Sequence, residues 1–247
     1  FVALRVIAEA NGPIGGLRLA EALQDAGIHV AEATAGRYLR ALDRLGLTKL
    51  VATRGRVLTD EGRRRLSQLM ATRHQDRQYA ALVEAAQPND IDTLIDLLYV
   101  RRAIEPTAAQ LAAVRASDDE IEAIQFAAQE HTHMASTGCD RVGPALNFHR
   151  LILDASHNAL LKAIGSLIFR PTHDPLERLL DRVALGAGTT VISEGESLQA
   201  AIDFAYDHHI VVAALRARDP QSAESAMRMH LDKLIVRVEQ YRQQNPN

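Results

Sequence analysis

Helix-start signals divide the chain from Asn89 onward into long helices. Asp90 precedes one apolar run, Ser117-Asp-Asp-Glu120 has the capping-box pattern, and Asp219-Pro220 opens another run. No useful length of this segment alternates apolar and polar residues, as a half-buried strand would. We therefore predict six or seven helices in an antiparallel bundle, in which side chains from facing helices meet at a central site. Besides the three capped helices, we expect helices near 144–156, 158–169, 174–184 and 194–216, and a mobile loop at "GAGTTVISEGES".

The amino-terminal segment predicts a different unit, made of three short helices and a hairpin. "FVALRVIAEANGP" and "GGLRLAEALQDAG" are typical of short helices, and Gly27 is the expected end of the second. The third helix, in "HVAEATAGRYLRALDRLGL", ends at Gly46, and two β-prone runs follow around Arg54-Gly55. This order predicts a winged helix-turn-helix. The side chains expected to face its core are Leu17, Leu19, Ala20, Leu23, Ala35, Leu39, Leu42 and Leu45.

A winged helix-turn-helix inserts its third helix into the major groove of DNA and sets its wing against the backbone or the minor groove. The polar face of the third helix and the arginines of the hairpin are therefore the predicted contacts with a double-stranded DNA operator. These residues are Thr34, Arg37, Tyr38, Arg40, Arg54 and Arg56. Winged helices also act as protein-interaction modules, so that alternative stays open.

The charge of the chain is divided unevenly along its length. Lys and Arg number 13 against 8 Asp and Glu through Gln78, and 15 against 23 in the remainder, within a net charge of −3. A basic segment ahead of an acidic one is typical of a nucleic-acid module joined to a sensing or assembly unit. We predict the winged helix at 1–75, a linker helix and boundary at 76–89, and a helical domain at 90–247.

Three histidines lie among apolar residues of the predicted bundle. His149 interrupts the apolar stripe of "ALNFHRLILDASHN", and His208 and His230 lie on the last two long helices. A single buried histidine usually has a structural hydrogen bond. Three that converge would suit a divalent transition metal, because neutral imidazole nitrogens ligate Zn²⁺, Ni²⁺ and Fe²⁺. The spacing alone leaves both interpretations open.

Other polar residues of the predicted bundle indicate a binding site less clearly than these three histidines do. His209 is expected on the surface, beside His208 but on another side of the helix. His131 and His133 are two residues apart and share no helix face, so we expect them outside the pocket. Arg101 and Glu105, at a spacing of four, have the pattern of an ordinary helix ion pair.

The amino-terminal pattern resembles the NrpR-type winged-helix domain over roughly Val2 to Leu69. The blocks that carry the resemblance are the "GPIG" turn, "GRYLRALDRLGLT" and the "RGRVLTDEG" wing, which follow in the same order and spacing. The resemblance implies that this segment binds DNA.

The helical segment resembles the FCD domain, the ligand-binding half of FadR-type regulators of the GntR superfamily, over about Ile91 to Val238. The matching blocks are "LLYVRRAIEPTAAQLAA", "NFHRLILDASHNALL" and "DHHIVVAALRARDPQSAESAMRMHL". The resemblance implies a divalent metal, Zn or Ni, and a small carboxylate effector. The implied ligands are His149, His208 and His230 for the metal, and Arg101 beside Glu105 for the effector, with Arg102 as a competitor of Arg101. Ala145 stands where the family has an aspartate, which leaves a coordination position to water or to the effector.

These features predict a mainly α-helical transcriptional regulator that acts as a homodimer on an operator with two-fold symmetry. The GntR-type winged-helix signature that usually accompanies an FCD domain is not found. A single cysteine, Cys139, no signal-peptide pattern, and no apolar run of the roughly 20 residues that span a bilayer predict a cytoplasmic protein. We expect no catalysis. The alternatives are a metal-dependent enzyme with a three-histidine site and a protein-interaction adaptor.

Overall fold

The computed structural model describes residues 1–52, 54–137, 143–169, 176, 179–180, 183 and 194–245, with the backbone alone for 194–201. The chain divides into two compact units, Phe1–Ala81 and Leu82–Asn247. This division falls inside the segment 76–89 that the sequence assigns to a linker. Most of the helix predicted at 174–184 and of the loop predicted at "GAGTTVISEGES" lies outside the described residues. Among the residues that are described, no helix is long and apolar enough to cross a membrane.

The first unit is the predicted winged helix. Its strands pair antiparallel, with Lys49 opposite Val57, and a backbone bridge joins Ile14 to Arg56. The helix that follows the wing begins after Thr59, whose hydroxyl accepts a hydrogen bond from a backbone N–H of the first turn at 3.0 Å. The elements are α1 (Val2–Glu9), α2 (Gly16–Asp25), α3 (Glu32–Arg44), β1 (Thr48–Leu50), β2 (Arg56–Leu58) and α4 (Asp60–Ala85), which continues beyond the first unit.

Two glycines end helices where the sequence predicts. Gly27 and Gly46 have φ values of 78° and 70°, a left-handed conformation that glycine adopts without steric cost. After Gly27, the Ile28 N–H donates to the Leu23 carbonyl oxygen at 2.8 Å, and an equivalent bond follows Gly46. These turns end α2 and α3.

The core of the first unit is formed largely by the faces predicted for α2 and α3, and two positions were predicted wrongly. Leu17 and Leu45 are 55% and 68% exposed. Leu17 lies one turn before the exposed Glu21, at the edge of the α2 stripe. Leu45 follows the last residue of α3, where the chain leaves the helical path. The buried core residues are Leu4, Ile7, Ile14, Leu19, Ala20, Leu23, Ala35, Leu39, Leu58 and Leu66.

The second unit is a helical bundle whose predicted capped starts are confirmed. Asp90 accepts from the Thr93 N–H at 2.8 Å, Ser117 and Glu120 form a capping box, and Asp219 accepts from two backbone N–H groups of the last helix. The helices among the described residues are α5 (Ile91–Arg115), α6 (Asp118–Ser136), α7 (Gly143–Ala155), α8 (Ala159–Ile168), α9 (Glu194–Arg216) and α10 (Pro220–Gln244).

The bundle helices pack in pairs around one apolar core. α5 packs against α10, α6 packs against α9, and α7 contacts both α5 and α6. α9 and α10 also pack on each other, because only a short turn joins them. The inner faces of α7, α9 and α10 thereby come together. Fully buried members of this core include Leu94, Leu98, Phe148, Ile152, Leu215, Met227 and Leu231.

Candidate functional site

Three histidines that are far apart in the sequence meet inside the bundle. His149 lies on α7, His208 on α9 and His230 on α10, and all three side chains are buried. The Nε2 atoms of His208 and His230 lie 3.2 Å apart, and those of His230 and His149 lie 3.3 Å apart. One nitrogen from each ring lies within 4.8 Å of the others. The structure thus brings together the residues for which the sequence left convergence open.

The spacing of these nitrogens fits a divalent metal ion. A tetrahedral Zn²⁺ lies about 2.0–2.1 Å from each nitrogen ligand, which places two such nitrogens about 3.3 Å apart. The two Nε2 separations of 3.2 and 3.3 Å agree with that value. Ala145 is buried one turn before His149 on α7 and offers no ligand atom. The described residues therefore supply three nitrogen donors, one fewer than a tetrahedral site uses.

The other ring nitrogen of each of the three histidines faces a polar side chain. His149 Nδ1 lies 2.6 Å from Glu105 Oε2, whereas His230 Nδ1 lies 3.8 Å from Asp207 Oδ2, which is beyond hydrogen-bond distance. His208 Nδ1 lies 3.2 Å from Nδ1 of a fourth buried histidine, His131. Such outer partners commonly orient metal-binding histidines and fix which nitrogen carries the proton.

Burial keeps the three histidines neutral. Loss of hydration lowers the pKa of His149 from 6.5 to about 3, although the Glu105 carboxylate opposes the shift. Burial likewise lowers the pKa of His208 well below its ordinary value and lowers the pKa of His230. Neutral imidazole is the form that ligates a metal ion.

Glu105 stays ionised in spite of its own burial. Desolvation raises its pKa, but the charge of Arg101 and the contact with His149 outweigh this effect and lower the pKa to about 2. The Arg101 Nε lies 2.6 Å from Glu105 Oε1. The Arg101–Glu105 pair is therefore a buried charge pair at the centre of the bundle and not the exposed helix pair that its spacing alone would suggest.

Arg101 has unused hydrogen-bonding capacity. Its side chain is fully buried, yet neither Nη1 nor Nη2 has a hydrogen-bond partner among the described residues. Its Cζ lies 4.9 Å from the centre of the Phe169 ring. Arg102, the competing residue, is half-buried and pairs with Asp232. Between the two arginines, Arg101 is the one placed inside the bundle.

Sequence reasoning missed two residues of this site. His131 was expected outside the pocket, but it lies on the buried face of α6 with Ile124, Ala128 and Ala135. These residues are three and four positions apart, a spacing that indicates one buried helix face. The prediction compared His131 only with His133 and did not consider this spacing. Asp207 gave no signal, because its contact with His230 depends on how α9 packs against α10.

The predicted DNA-contacting residues lie on α3 and the wing. Arg37, Tyr38, Arg40 and Arg54 are exposed, and Arg37 donates a hydrogen bond to the Thr34 hydroxyl at 2.8 Å. These side chains present a polar, basic face.

Arg56 is placed differently from the other arginines of this surface. It is the first residue of β2, and its Nε lies 2.6 Å from Asp43 Oδ2 on α3. Thr48 donates to the other oxygen of the same carboxylate at 2.6 Å. The sequence predicted that Arg56 contacts DNA from the hairpin, whereas its side chain turns toward α3.

Comparison with known families matches both units. A family model described as the FCD domain matches residues 96–233, and one described as the Ribonuclease R winged-helix domain matches residues 2–66. The winged-helix match is of the Ribonuclease R type, so the resemblance to the NrpR-type domain is not confirmed.

Two solved structures are similar to the chain at low sequence identity. Streptococcus agalactiae GntR is 16% identical, with 94% of this chain and 93% of that chain covered and a TM-score of 0.45. E. coli McbR/YncC is 15% identical, with 99% and 95% covered and a TM-score of 0.46. No curated protein matches the chain.

The stability of the metal-free protein is expected to fall below about pH 6.5, the ordinary histidine pKa. The unfolded chain takes up protons there, whereas burial lowers the pKa values of folded His149, His208 and His230. Each such histidine adds up to about 1.4 kcal/mol per pH unit to the slope of the unfolding free energy against pH. Urea unfolding in EDTA between about pH 7.5 and 5.5 measures this slope.

Two variants check the origin of this pH dependence. His208→Leu should reduce the slope by the contribution of about one proton, about 1.4 kcal/mol per pH unit. His133→Ala, which removes an exposed histidine, should leave the slope unchanged. An unfolding free energy that does not change with pH in this window would show that the cluster accepts protons in the folded state.

Proposed function

Since the chain belongs to the FCD domain family of transcriptional regulators, we propose that its helical domain senses a small carboxylate at Arg101, beside a divalent metal ion held by His149, His208 and His230. The protein is a DNA-binding regulator, and the bound carboxylate is its control signal. In this proposal the effector biases the packing of the bundle and thereby the spacing of two recognition helices in a homodimer.

The observation that carries this proposal is the unsatisfied guanidinium of Arg101. A buried, charged N–H group without an acceptor is costly. The Glu105 carboxylate contacts Nε alone, which leaves Nη1 and Nη2 without an acceptor among the described residues. A planar guanidinium edge binds a carboxylate through two parallel hydrogen bonds. A carboxylate effector would supply the missing acceptors.

The histidine cluster supports a metal ion at the same site. Its donors are neutral, buried and spaced as Zn²⁺ ligands are. When bound, the ion supplies positive charge and a coordination position for an effector oxygen. Glu105 contacts both Arg101 and His149, so the effector and metal positions share one carboxylate.

The protein is expected to bind about one Zn²⁺ per chain after EDTA treatment and removal of EDTA. His230→Ala should abolish most of this binding, because two donors alone hold the ion weakly. Ala145→Asp should tighten it, since an aspartate one turn before His149 adds an anionic ligand. Isothermal titration measures each affinity, with His133→Ala as the exposed-histidine control. Unaltered Zn²⁺ binding in His230→Ala would contradict the three-histidine site.

The carboxylate is expected to act through the fork of Arg101. Acetate, succinate and citrate serve as probes, and the measurement is the shift in Tm that each causes relative to the same variant without ligand. At least one probe should raise the Tm of the wild type. Arg101→Lys should lose this shift, because lysine keeps the charge beside Glu105 but cannot bind bidentately.

A neighbouring arginine provides the matched control for this experiment. Arg102 is half-buried and pairs with Asp232, so Arg102→Lys should keep the full ligand-induced shift. A full shift in Arg101→Lys, or no shift of the wild type with any of the three probes, would overturn the carboxylate assignment.

We infer further that α3 and the wing bind the operator. Arg37, Tyr38 and Arg40 lie on the exposed face of α3, where a recognition helix reaches base edges and phosphates. Arg54 is exposed in the wing. Arg56 is held by Asp43, so a contact between Arg56 and DNA requires that ion pair to open.

Arg37→Ala is expected to weaken specific operator binding by about 1–3 kcal/mol if Arg37 contacts a base edge. Arg54→Ala should weaken binding to all sequences and reduce its salt dependence by about one counterion. The operator is first selected from genomic fragments with the wild-type protein, and gel shifts at several salt concentrations then measure each variant. Arg216→Ala, an exposed arginine of α9, is the control. Unchanged binding in both test variants would reject this surface.

A further inference from the structure

A fourth buried histidine lies directly behind one of the three proposed ligands. His131, on α6, is 3% exposed, and its Nδ1 lies 3.2 Å from the Nδ1 of fully buried His208 on α9. The two ring centres are 5.0 Å apart with an angle of 38° between the ring planes. This contact lies on the side of His208 opposite Nε2, which faces His230.

The contact restricts where protons can lie. A neutral imidazole carries one proton, on either Nδ1 or Nε2. If His208 Nε2 binds a metal, its lone pair must be free, so the His208 proton lies on Nδ1. That N–H can donate to His131 Nδ1 only when the His131 proton lies on its own Nε2. One arrangement of the two protons is therefore compatible with both the hydrogen bond and the metal.

We propose that His131 is a positioning residue of the metal site, which accepts a hydrogen bond from His208 Nδ1 and thereby fixes the tautomer and ring orientation of His208. This inference rests on the metal site proposed above. It assigns to His131 a position behind His208 like that of Glu105 behind His149, where Glu105 Oε2 lies 2.6 Å from His149 Nδ1. His131 is thus the outer partner that is not a carboxylate.

The same two helices provide a built-in control. One residue further along each helix, the Thr132 hydroxyl lies 2.9 Å from His209 Nε2. This second contact joins α6 to α9 in the same way but ends on a histidine that is not among the proposed ligands. A general effect of loosening α6 from α9 would appear in variants of either contact, whereas an effect on the tautomer of His208 would appear only in variants of His131.

The first experiment measures Zn²⁺ affinity by competition with a chromogenic chelator. His131→Leu should bind Zn²⁺ at least about 10-fold more weakly than the wild type, as the loss of an outer partner commonly does. His131→Asn should recover most of the affinity, because its Oδ1 lies near the position of Nδ1 and accepts a hydrogen bond. His131→Gln should not recover it, since its amide extends toward the Nε2 position. Thr132→Val should bind as the wild type does.

The second experiment observes the protons directly in the wild-type protein. NMR of Zn²⁺-loaded protein with ¹⁵N- and ¹³C-labelled histidine should show His208 protonated on Nδ1 and His131 protonated on Nε2. This measurement keeps the inference testable even if His131→Leu fails to fold. The opposite tautomer at His131 would overturn it.

The possible results separate this inference from the proposed metal site. Absence of Zn²⁺ binding in the wild type would overturn both. Binding in the wild type with equal affinity in His131→Leu would overturn the role of His131 alone and leave the metal site standing. Equal losses of affinity in His131→Leu and Thr132→Val would assign the effect to helix packing and would also overturn the inference.

Discussion

The carboxylate of Glu105 is the contact on which the helical site depends. Its two oxygens lie 2.6 Å from Arg101 Nε and 2.6 Å from His149 Nδ1. Arg101 is one turn away on α5, whereas His149 is on α7, so a single side chain joins two helices of the bundle. An isolated buried charge is strongly destabilising, and Arg101 can occupy the core because Glu105 accompanies it. The same carboxylate lies beside the ring of His149, whose Nε2 faces His230.

The charges of the described groups also explain why two ligands would act together at this site. Arg101 is balanced by Glu105, Asp207 pairs with Lys233 at 2.7 Å, and burial keeps His149 neutral. A divalent cation would add uncompensated positive charge inside the bundle. A carboxylate would remove part of that excess, so in the proposed function the metal and the effector favour each other's binding by the same free energy.

The sequence predicted those parts of the structure that depend on neighbouring residues. Capping at Asp90 and Ser117 and the turns at Gly27 and Gly46 each arise within a few residues, and the structure confirms them. The burial of Leu17 and Leu45 was predicted wrongly, because helical spacing does not show where a stripe meets the edge of a core or where a helix ends.

The histidine cluster could be predicted only in part from the sequence. His149, His208 and His230 could be singled out by their apolar surroundings, but their convergence depends on how three helices pack. His131 and Asp207 are part of the same site through contacts across 77 and 23 residues of sequence. Local spacing contains no information about such contacts, and for His131 it supplied at most the apolar face of α6.

The carboxylate of Asp43 holds the wing in a fixed position on the first unit. It accepts hydrogen bonds from Thr48 and Arg56, and the backbone of Arg56 also pairs with Ile14. The hairpin is thereby attached to α3 and to the segment between α1 and α2 before any partner arrives. The free protein has already lost the conformational entropy of ordering this hairpin, so association with DNA does not include that loss. In a homodimer, the same reduction would apply at each half-site.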